Sequence, residues 1–126
     1  MKSAISIVSL LVATIAAAPL EARSVPTVTL ALSNDQSGAY STAAFAADGL
    51  DKSISSLFGS KSVGSSGHVL ASSAQLSQFP GTISCTLKNN GAIFTLTAQS
   101  TYIDLDGNPG AATPVNLDNA RVNCHV

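Results

Sequence analysis

The chain has 126 residues, which is enough for one domain at most. From Ser24 onward it carries four basic residues against six aspartates, a net charge of −2, and these charges do not cluster. Nucleic acids and anionic membranes require a basic surface, so the composition argues against both as partners. The absence of tryptophan and the presence of only two tyrosines, Tyr40 and Tyr102, argue against carbohydrate binding as well.

The N-terminal residues have the pattern of a secretory signal peptide, which we assign to residues 1–18. Lys2 is followed by an apolar run of 15 residues, AISIVSLLVATIAAA, that ends in small residues. The run is shorter than the roughly 20 residues of a membrane-spanning helix. The sequence does not decide the cleavage position between residues 17 and 23, because a cut after residue 18 would place Pro19 directly after it, where proline disfavours cleavage. We therefore expect a secreted, extracellular protein without membrane insertion, with a single β-rich domain in residues 24–126.

The first predicted element is a strand in residues 24–33, SVPTVTLALS. Apolar residues alternate with small or polar ones from Val28 to Leu32, which is the period of a half-buried strand. The NDQSG that follows is typical of a turn. Residues 39–49 fit either a short helix or an irregular edge strand. The apolar spacing in residues 50–60 suits one helical turn or a strand, and the neighbouring strands favour a strand.

A β-hairpin is predicted in residues 82–104. Asn90-Gly91 favours a two-residue type I′ turn, because both central positions of that turn need a positive φ. With this loop, apolar residues such as Cys85 and Leu96 face each other on one side and hydroxylated residues face each other on the other. A three-residue loop would mix the two faces. We expect the second strand to continue through residues 101–103 until DLDGNPG ends it.

The only two cysteines, Cys85 and Cys124, are predicted to form one disulfide. Closing a loop of about 40 residues stabilises a fold by on the order of 3–4 kcal/mol. The bond requires the last strand, in residues 120–126, to neighbour the hairpin or to face it across the core. With a further alternating segment in residues 68–79, we count six or seven short strands. This pattern predicts an all-β fold, a small antiparallel β-sandwich or barrel.

The candidate for ion binding is the segment that begins at Asp104. Asp104, Asp106 and Asn108 place oxygen atoms at alternate positions, as calcium loops do. The glycine is misplaced for an EF-hand, and the twelfth position is Val115. Aspartate, glycine, asparagine and proline are also the ordinary residues of turns. We predict a turn here, with a calcium site as the alternative.

No motif predicts catalysis. No serine lies in a G-x-S-x-G sequence, and the chain has two histidines, His68 and His125. If both cysteines form a disulfide, the remaining residues offer too few ligands for zinc. We therefore predict that the protein is not an enzyme and has no catalytic residues, no metal and no cofactor.

Several segments resemble small secreted proteins of filamentous fungi: LSNDQSG, SLFG, ASSAQLSQFP, TAQSTYIDLDGNP and PVNLDNARVNC. The resemblance extends over residues 28–124. Proteins of this kind are described as effectors or hypersensitive-response-inducing proteins (elicitors) without enzymatic activity, so there are no catalytic residues to transfer. The resemblance implies a compact β-rich protein, expected to be monomeric, that binds a host protein or cell-surface component. A structural, cell-wall-associated protein of the producing organism is the alternative, because the composition is weakly charged and rich in serine, alanine and glycine.

Overall fold

The structure is a computed structural model and describes residues 25–107 and 113–126. In chain order its strands are β1 (Thr27–Asn34), β2 (Ala39–Ala46), β3 (Lys52–Ser53), β4 (Leu70–Ala71), β5 (Ser73–Gln78), β6 (Ser84–Asn89), β7 (Ala92–Thr97), β8 (Tyr102–Asp104), β9 (Val115–Asn116) and β10 (Arg121–His125). A short helix, α1 (Ile54–Phe58), and a 3₁₀ helix (Ser62–Gly64) lie between β3 and β4.

The strands form two four-stranded antiparallel sheets and a small ribbon. Sheet A has the order β2-β1-β5-β8, sheet B has the order β3-β10-β6-β7, and β4 pairs with β9. The predicted all-β fold with one disulfide is confirmed, and its architecture is that of a sandwich. Seven of the ten strands in the described residues are three residues or longer, which is why the sequence pattern indicated six or seven.

The inner faces of the two sheets share one hydrophobic core. In β1, Val28, Leu30 and Leu32 are completely buried, as the period-two pattern predicts. Sheet B contributes Leu87 and Leu96, which are also completely buried, to the same cluster. Each such side chain stabilises the fold by roughly 1.5–3 kcal/mol relative to an exposed one.

The predicted hairpin is confirmed in both its turn and its register. Asn90 has a φ of 51° and Gly91 a φ of 91°, as a two-residue type I′ loop requires. Cys85 lies opposite Leu96, and the hydroxylated residues pair on the other face. The turn therefore decides which side chains of β6 enter the core.

The disulfide between Cys85 and Cys124 joins adjacent strands of sheet B. In a two-residue hairpin the pair next to the loop is hydrogen-bonded, and every second pair after it is hydrogen-bonded too. This places the backbone amide and carbonyl of Cys85 towards β7. Its contact with β10 is then of the non-hydrogen-bonded kind, in which facing side chains lie closest. The two Cα atoms are 4.0 Å apart and both residues are buried, while Val126, two positions after Cys124, is 56% exposed.

The prediction of a strand in residues 50–60 is wrong beyond Ser53, where a helix begins. The Ser53 hydroxyl caps this helix by accepting a hydrogen bond from the Ser56 amide at 3.3 Å. Ile54 and Phe58 are four residues apart, so both point into the core from one side of α1. Residues 39–46, by contrast, form the edge strand that was one of the two alternatives.

The prediction that the second hairpin strand continues through residues 101–103 is also wrong. The strand ends at Thr97, whose hydroxyl accepts hydrogen bonds from the amides of Gln99 and Ser100. This side-chain turn, closed by two backbone bonds between Thr97 and Ser100, carries the chain from sheet B to sheet A. There Tyr102 starts β8, which pairs with β5.

Two predictions concern residues outside the described ranges. These are the signal peptide of residues 1–18 and the position of Asn108 in the calcium candidate. Within the described ranges, no helix is long and apolar enough to cross a membrane.

Candidate functional site

The outward-facing side chains of sheet A form a continuous surface that we call the tyrosine face. Alternation along each strand points every second side chain away from the core, and the register aligns these side chains in rows across four strands. One row contains Tyr40, Ser33, Ser73 and Asp104, and the next contains Thr42, Ala31, Gln75 and Tyr102. A third row adds Ala44 and Thr29, and a register shift between Thr29 and Leu30 brings Gln78 opposite Thr29.

Both tyrosines of the chain lie on this face, one on each edge strand. Tyr40 is 58% exposed and Tyr102 is 55% exposed. They are three strand spacings apart across the sheet and two residues apart along it, which places their Cα atoms roughly 16 Å from each other. Two tyrosines are few for a carbohydrate-binding protein, but both of them lie on one surface.

The surface between the tyrosines is low and almost uncharged. Ala31 and Ser73 are buried, and Ser33 is half-buried. No lysine or arginine belongs to the three rows, and the one carboxylate, Asp104, lies at a corner. Two aromatic rings therefore stand above a floor of short side chains with hydroxyl and amide groups.

The backbone beneath each ring is held by hydrogen bonds. The Ser62 hydroxyl donates to the carbonyl oxygen of Tyr40 at 2.8 Å. The neighbouring Ser41 hydroxyl bonds to Ser62 and accepts from the Val63 amide. At the other edge, the Leu76 amide donates to the carbonyl oxygen of Thr101 at 2.9 Å. The tyrosine backbones thus have fixed positions, which lowers the entropy lost when a ligand binds.

The corner of the tyrosine face contains the two described aspartates of the calcium candidate. The Asp104 Oδ2 atom is buried and receives no hydrogen bond from a donor among the described residues. A hydrogen bond between two carboxyl groups requires a proton on one of them. The Asp106 carboxyl beside Asp104 therefore favours the protonated form of Asp104 and raises its pKa. Burial and the negative charges of Asp106 and Asp35 act in the same direction.

Their neighbours use their polar groups within the fold. Asp106 accepts a hydrogen bond from the Thr113 amide at 2.9 Å, and Asp35 accepts one from the Ser72 hydroxyl at 2.7 Å. Within residues 25–107 and 113–126, no three acidic, histidine or cysteine side chains are grouped so that they could hold a metal ion. Asn108 is outside these ranges, so calcium binding stays a prediction that the geometry does not strengthen.

His68, one of the two histidines considered for catalysis, pairs with Asp118. Its Nδ1 atom lies 2.6 Å from Asp118 Oδ2, and the other carboxylate oxygen accepts from the Val69 amide at 2.8 Å. The hydrogen bonds from His68 and Val69 lower the pKa of Asp118. The Ser66 hydroxyl donates to the carbonyl oxygen of His68 and not to its ring. The pair therefore connects the chain before β4 to the turn before β10.

A shallow pocket of about 240 Å³ lies at one end of the sandwich, beside the β1–β2 turn. Its lining is uncharged and mixed, with serine, asparagine and glutamine side chains beside the apolar residues Ala39, Val63, Leu70 and Pro114. Most of its hydroxyl and amide groups are already bonded to backbone atoms nearby, as Asn34 is to the amides of Gln36 and Ser37. It is smaller than the pockets of about 300–1,000 Å³ that enclose drug-sized ligands.

Comparisons of the chain with protein-family models, with curated proteins and with solved structures found no match. The candidate site is therefore identified from geometry alone. Sequence reasoning missed the tyrosine face because its four strands come from separate parts of residues 27–104. A signal was available for Tyr40, which alternates with Phe45 along its strand. For Tyr102, alternation continued from Leu96 predicts an inward side chain, and only the turn after Thr97 makes it outward.

Proposed function

We propose that this chain is a secreted, non-enzymatic interaction protein that binds a component outside the cell through the tyrosine face. In this proposal it acts as an effector or elicitor on a plant host, in line with the fungal proteins that its segments resemble. The observation that carries the proposal is that both tyrosines are more than half exposed on the same outer surface.

Exposed tyrosines are typical of contact surfaces. The ring supplies a large apolar area, the hydroxyl can hydrogen-bond, and few rotatable bonds are immobilised on binding. Tyrosine is accordingly enriched among the residues that dominate binding energy in interfaces. The short side chains between Tyr40 and Tyr102 leave room for a ligand to reach both rings.

An extracellular site of action is supported by the covalent chemistry of the core. Disulfides persist in oxidising compartments and are rare in the cytosol. The buried bond between Cys85 and Cys124 is of the structural kind, because no free cysteine accompanies it in the described residues. The apolar N-terminal segment of the sequence points to export as well.

The test is infiltration of purified protein into leaves, followed by measurement of cell death and of the oxidative burst. The wild-type protein is expected to cause a response, and the double variant Tyr40→Ala/Tyr102→Ala is expected to abolish it. Ile93→Ala is the matched control, because Ile93 is 67% exposed but lies on the other sheet. Circular dichroism of each variant establishes that it is folded.

Two results would contradict the proposal in different ways. A wild-type protein without any effect on leaves would refute the elicitor function. A double tyrosine variant with full activity would refute the tyrosine face as the contact surface. Recovery of the protein tightly bound to walls of the producing organism would favour the structural, wall-associated alternative.

A further inference from the structure

We propose that the ligand of the tyrosine face is a single chain of an uncharged, extended polysaccharide, a β-linked glucan of the host wall. This inference rests on the proposed function and names the ligand class for the same surface. Four features of that surface carry it: its charge, the spacing of its rings, its area and its twist.

The charge of the face favours a neutral ligand. Phosphate, sulfate and carboxylate groups are recognised by arginine and lysine, and neither residue belongs to the three rows of the face. A cationic ligand would face a single carboxylate, Asp104, which is half-buried at the corner. The polar groups that remain are those of Thr42, Ser33 and Gln75, and these hydroxyl and amide groups can exchange hydrogen bonds with sugar hydroxyls.

The spacing of the rings favours an extended ligand. With Tyr40 and Tyr102 roughly 16 Å apart, no single sugar ring can touch both. A linear chain that crosses the four strands can place one sugar on each aromatic ring. The apolar C–H face of each sugar then covers the ring, and its hydroxyls stay at the polar edge.

The area of the face is too small for a globular partner. Three strand spacings by six residues cover roughly 300 Å², whereas each partner in a stable protein complex contributes about 800 Å². A protein ligand would need to contact surfaces well beyond the three rows. A polysaccharide chain is narrow, and it can make its contacts within them.

The twist of the sheet decides between a free chain and a crystalline one. Neighbouring strands are rotated by about 20–25°, so the two edge strands of sheet A differ by roughly 60–75°. A flat crystalline surface would reach one tyrosine and leave the other. A single chain with rotatable glycosidic bonds can follow the twist and contact both.

The experiment is isothermal titration of the purified protein with cellohexaose and with cellobiose. We expect the hexasaccharide to bind, and either Tyr40→Ala or Tyr102→Ala to weaken its binding about tenfold. Tyr40→Phe should retain most of the affinity, since the ring makes the contact, and Ile93→Ala should leave the affinity unchanged. Cellobiose is too short to reach both rings and should bind at least tenfold more weakly than the hexasaccharide. Pull-down with amorphous cellulose should exceed pull-down with crystalline cellulose.

Each contrary result identifies which part of the proposal is wrong. Absence of cellohexaose binding, in a protein whose leaf response still needs both tyrosines, would overturn the polysaccharide and keep the proposed function. Equal binding by the wild-type protein and both alanine variants would overturn the tyrosine face as the site. Preference for chitohexaose would overturn the host glucan and favour a role in the wall of the producing organism. Preference for polygalacturonate would overturn the uncharged ligand.

Discussion

The two outer faces of the sandwich share one backbone frame but differ in chemistry. The tyrosine face has two large aromatic side chains and no basic residue in its rows. The outer face of sheet B, which we call the hydroxyl face, has short polar side chains, two neighbouring basic ones and an exposed isoleucine. It consists of Ser53, Ser84, Thr86, Lys88, Ile93, Thr95, Thr97, Arg121, Asn123 and His125.

The difference shows that the chemistry of an outer face depends on more than the fold. Both sheets bury one side of an antiparallel array, so their inner faces are constrained in the same way to be apolar. Their outer faces are free of that constraint. The hydroxyl face has mostly the side chains of a solvated strand, with Ile93 as its exposed apolar residue, whereas the tyrosine face has two exposed aromatic rings.

The largest loss of stability is expected from substitutions in the hydrophobic core that the two sheets share. Leu30 in β1 and Leu87 in β6 are both completely buried in the common core. Leu30→Ala and Leu87→Ala should each lower the free energy of unfolding by about 3–5 kcal/mol. Urea unfolding of both variants should show single transitions with similar losses. Two separate transitions in either variant would mean that the sheets are stabilised independently.

Removal of the disulfide should destabilise sheet B more than sheet A, because the bond lies within sheet B. The double variant Cys85→Ala/Cys124→Ala should lose about 3–4 kcal/mol of unfolding free energy. Amide hydrogen exchange should then show that protection falls more in β10 than in β1. An equal loss of protection in both strands would contradict a local role for the bond.

Replacing a turn glycine by alanine should cost a smaller amount of stability, and the same amount in each sheet. Gly38 in the β1–β2 turn has a φ of 81° and Gly91 in the β6–β7 turn has a φ of 91°. An added Cβ meets no atom within 4 Å at either position, so the cost of alanine is only conformational, about 1 kcal/mol. Gly81→Ala is the control, because Gly81 has the same free space without a positive φ. Thermal unfolding of the three variants measures the contrast.

Two aspartates should give opposite dependences of stability on pH. The pKa of Asp104 is raised above its model-compound value of 3.8, so its contribution is present below that pH and is lost as pH rises through the raised pKa. The pKa of Asp118 is lowered, so its contribution is present above pH 3.8 and is lost as pH falls through the lowered pKa. At neutral pH, Asp104→Asn should therefore raise the melting temperature and Asp118→Asn should lower it. Melting curves between pH 3 and pH 7 should show both differences shrinking in acid, and changes of the same sign would contradict the assignment.

The parts of the fold that local rules govern could be predicted from the sequence. The Asn90-Gly91 turn sets the pairing of β6 with β7, and that pairing directs Cys85 into the core. The short helix could not be predicted as firmly, because the spacing of Ile54 and Phe58 fits both a helix and a strand. Only the Ser53 N-cap distinguishes the two. The end of β7 had a readable signal as well, since the Thr97 hydroxyl can replace the strand's hydrogen bonds with those of a turn.

The candidate site could not be predicted in the same way. Tyr40 and Tyr102 are 62 positions apart in the chain and share one face only because β1 and β5 join their strands into one sheet. Such an arrangement depends on the order of strands in a sheet, which alternation within a strand does not determine. The Asp104–Asp106 contact is different, because two residues separated by one position are close in any turn.

The position of β10 has a consequence for the order in which the protein can assemble during synthesis. All four strands of sheet A lie before Leu105, so that sheet can form while the chain is still being made. Sheet B cannot, because β10 ends at His125 but lies between β3 and β6. A nascent chain that has not yet reached β10 has no strand to fill that gap. Completion of the sandwich, and of its disulfide, therefore has to wait until β10 has been synthesised, after all the strands of sheet A.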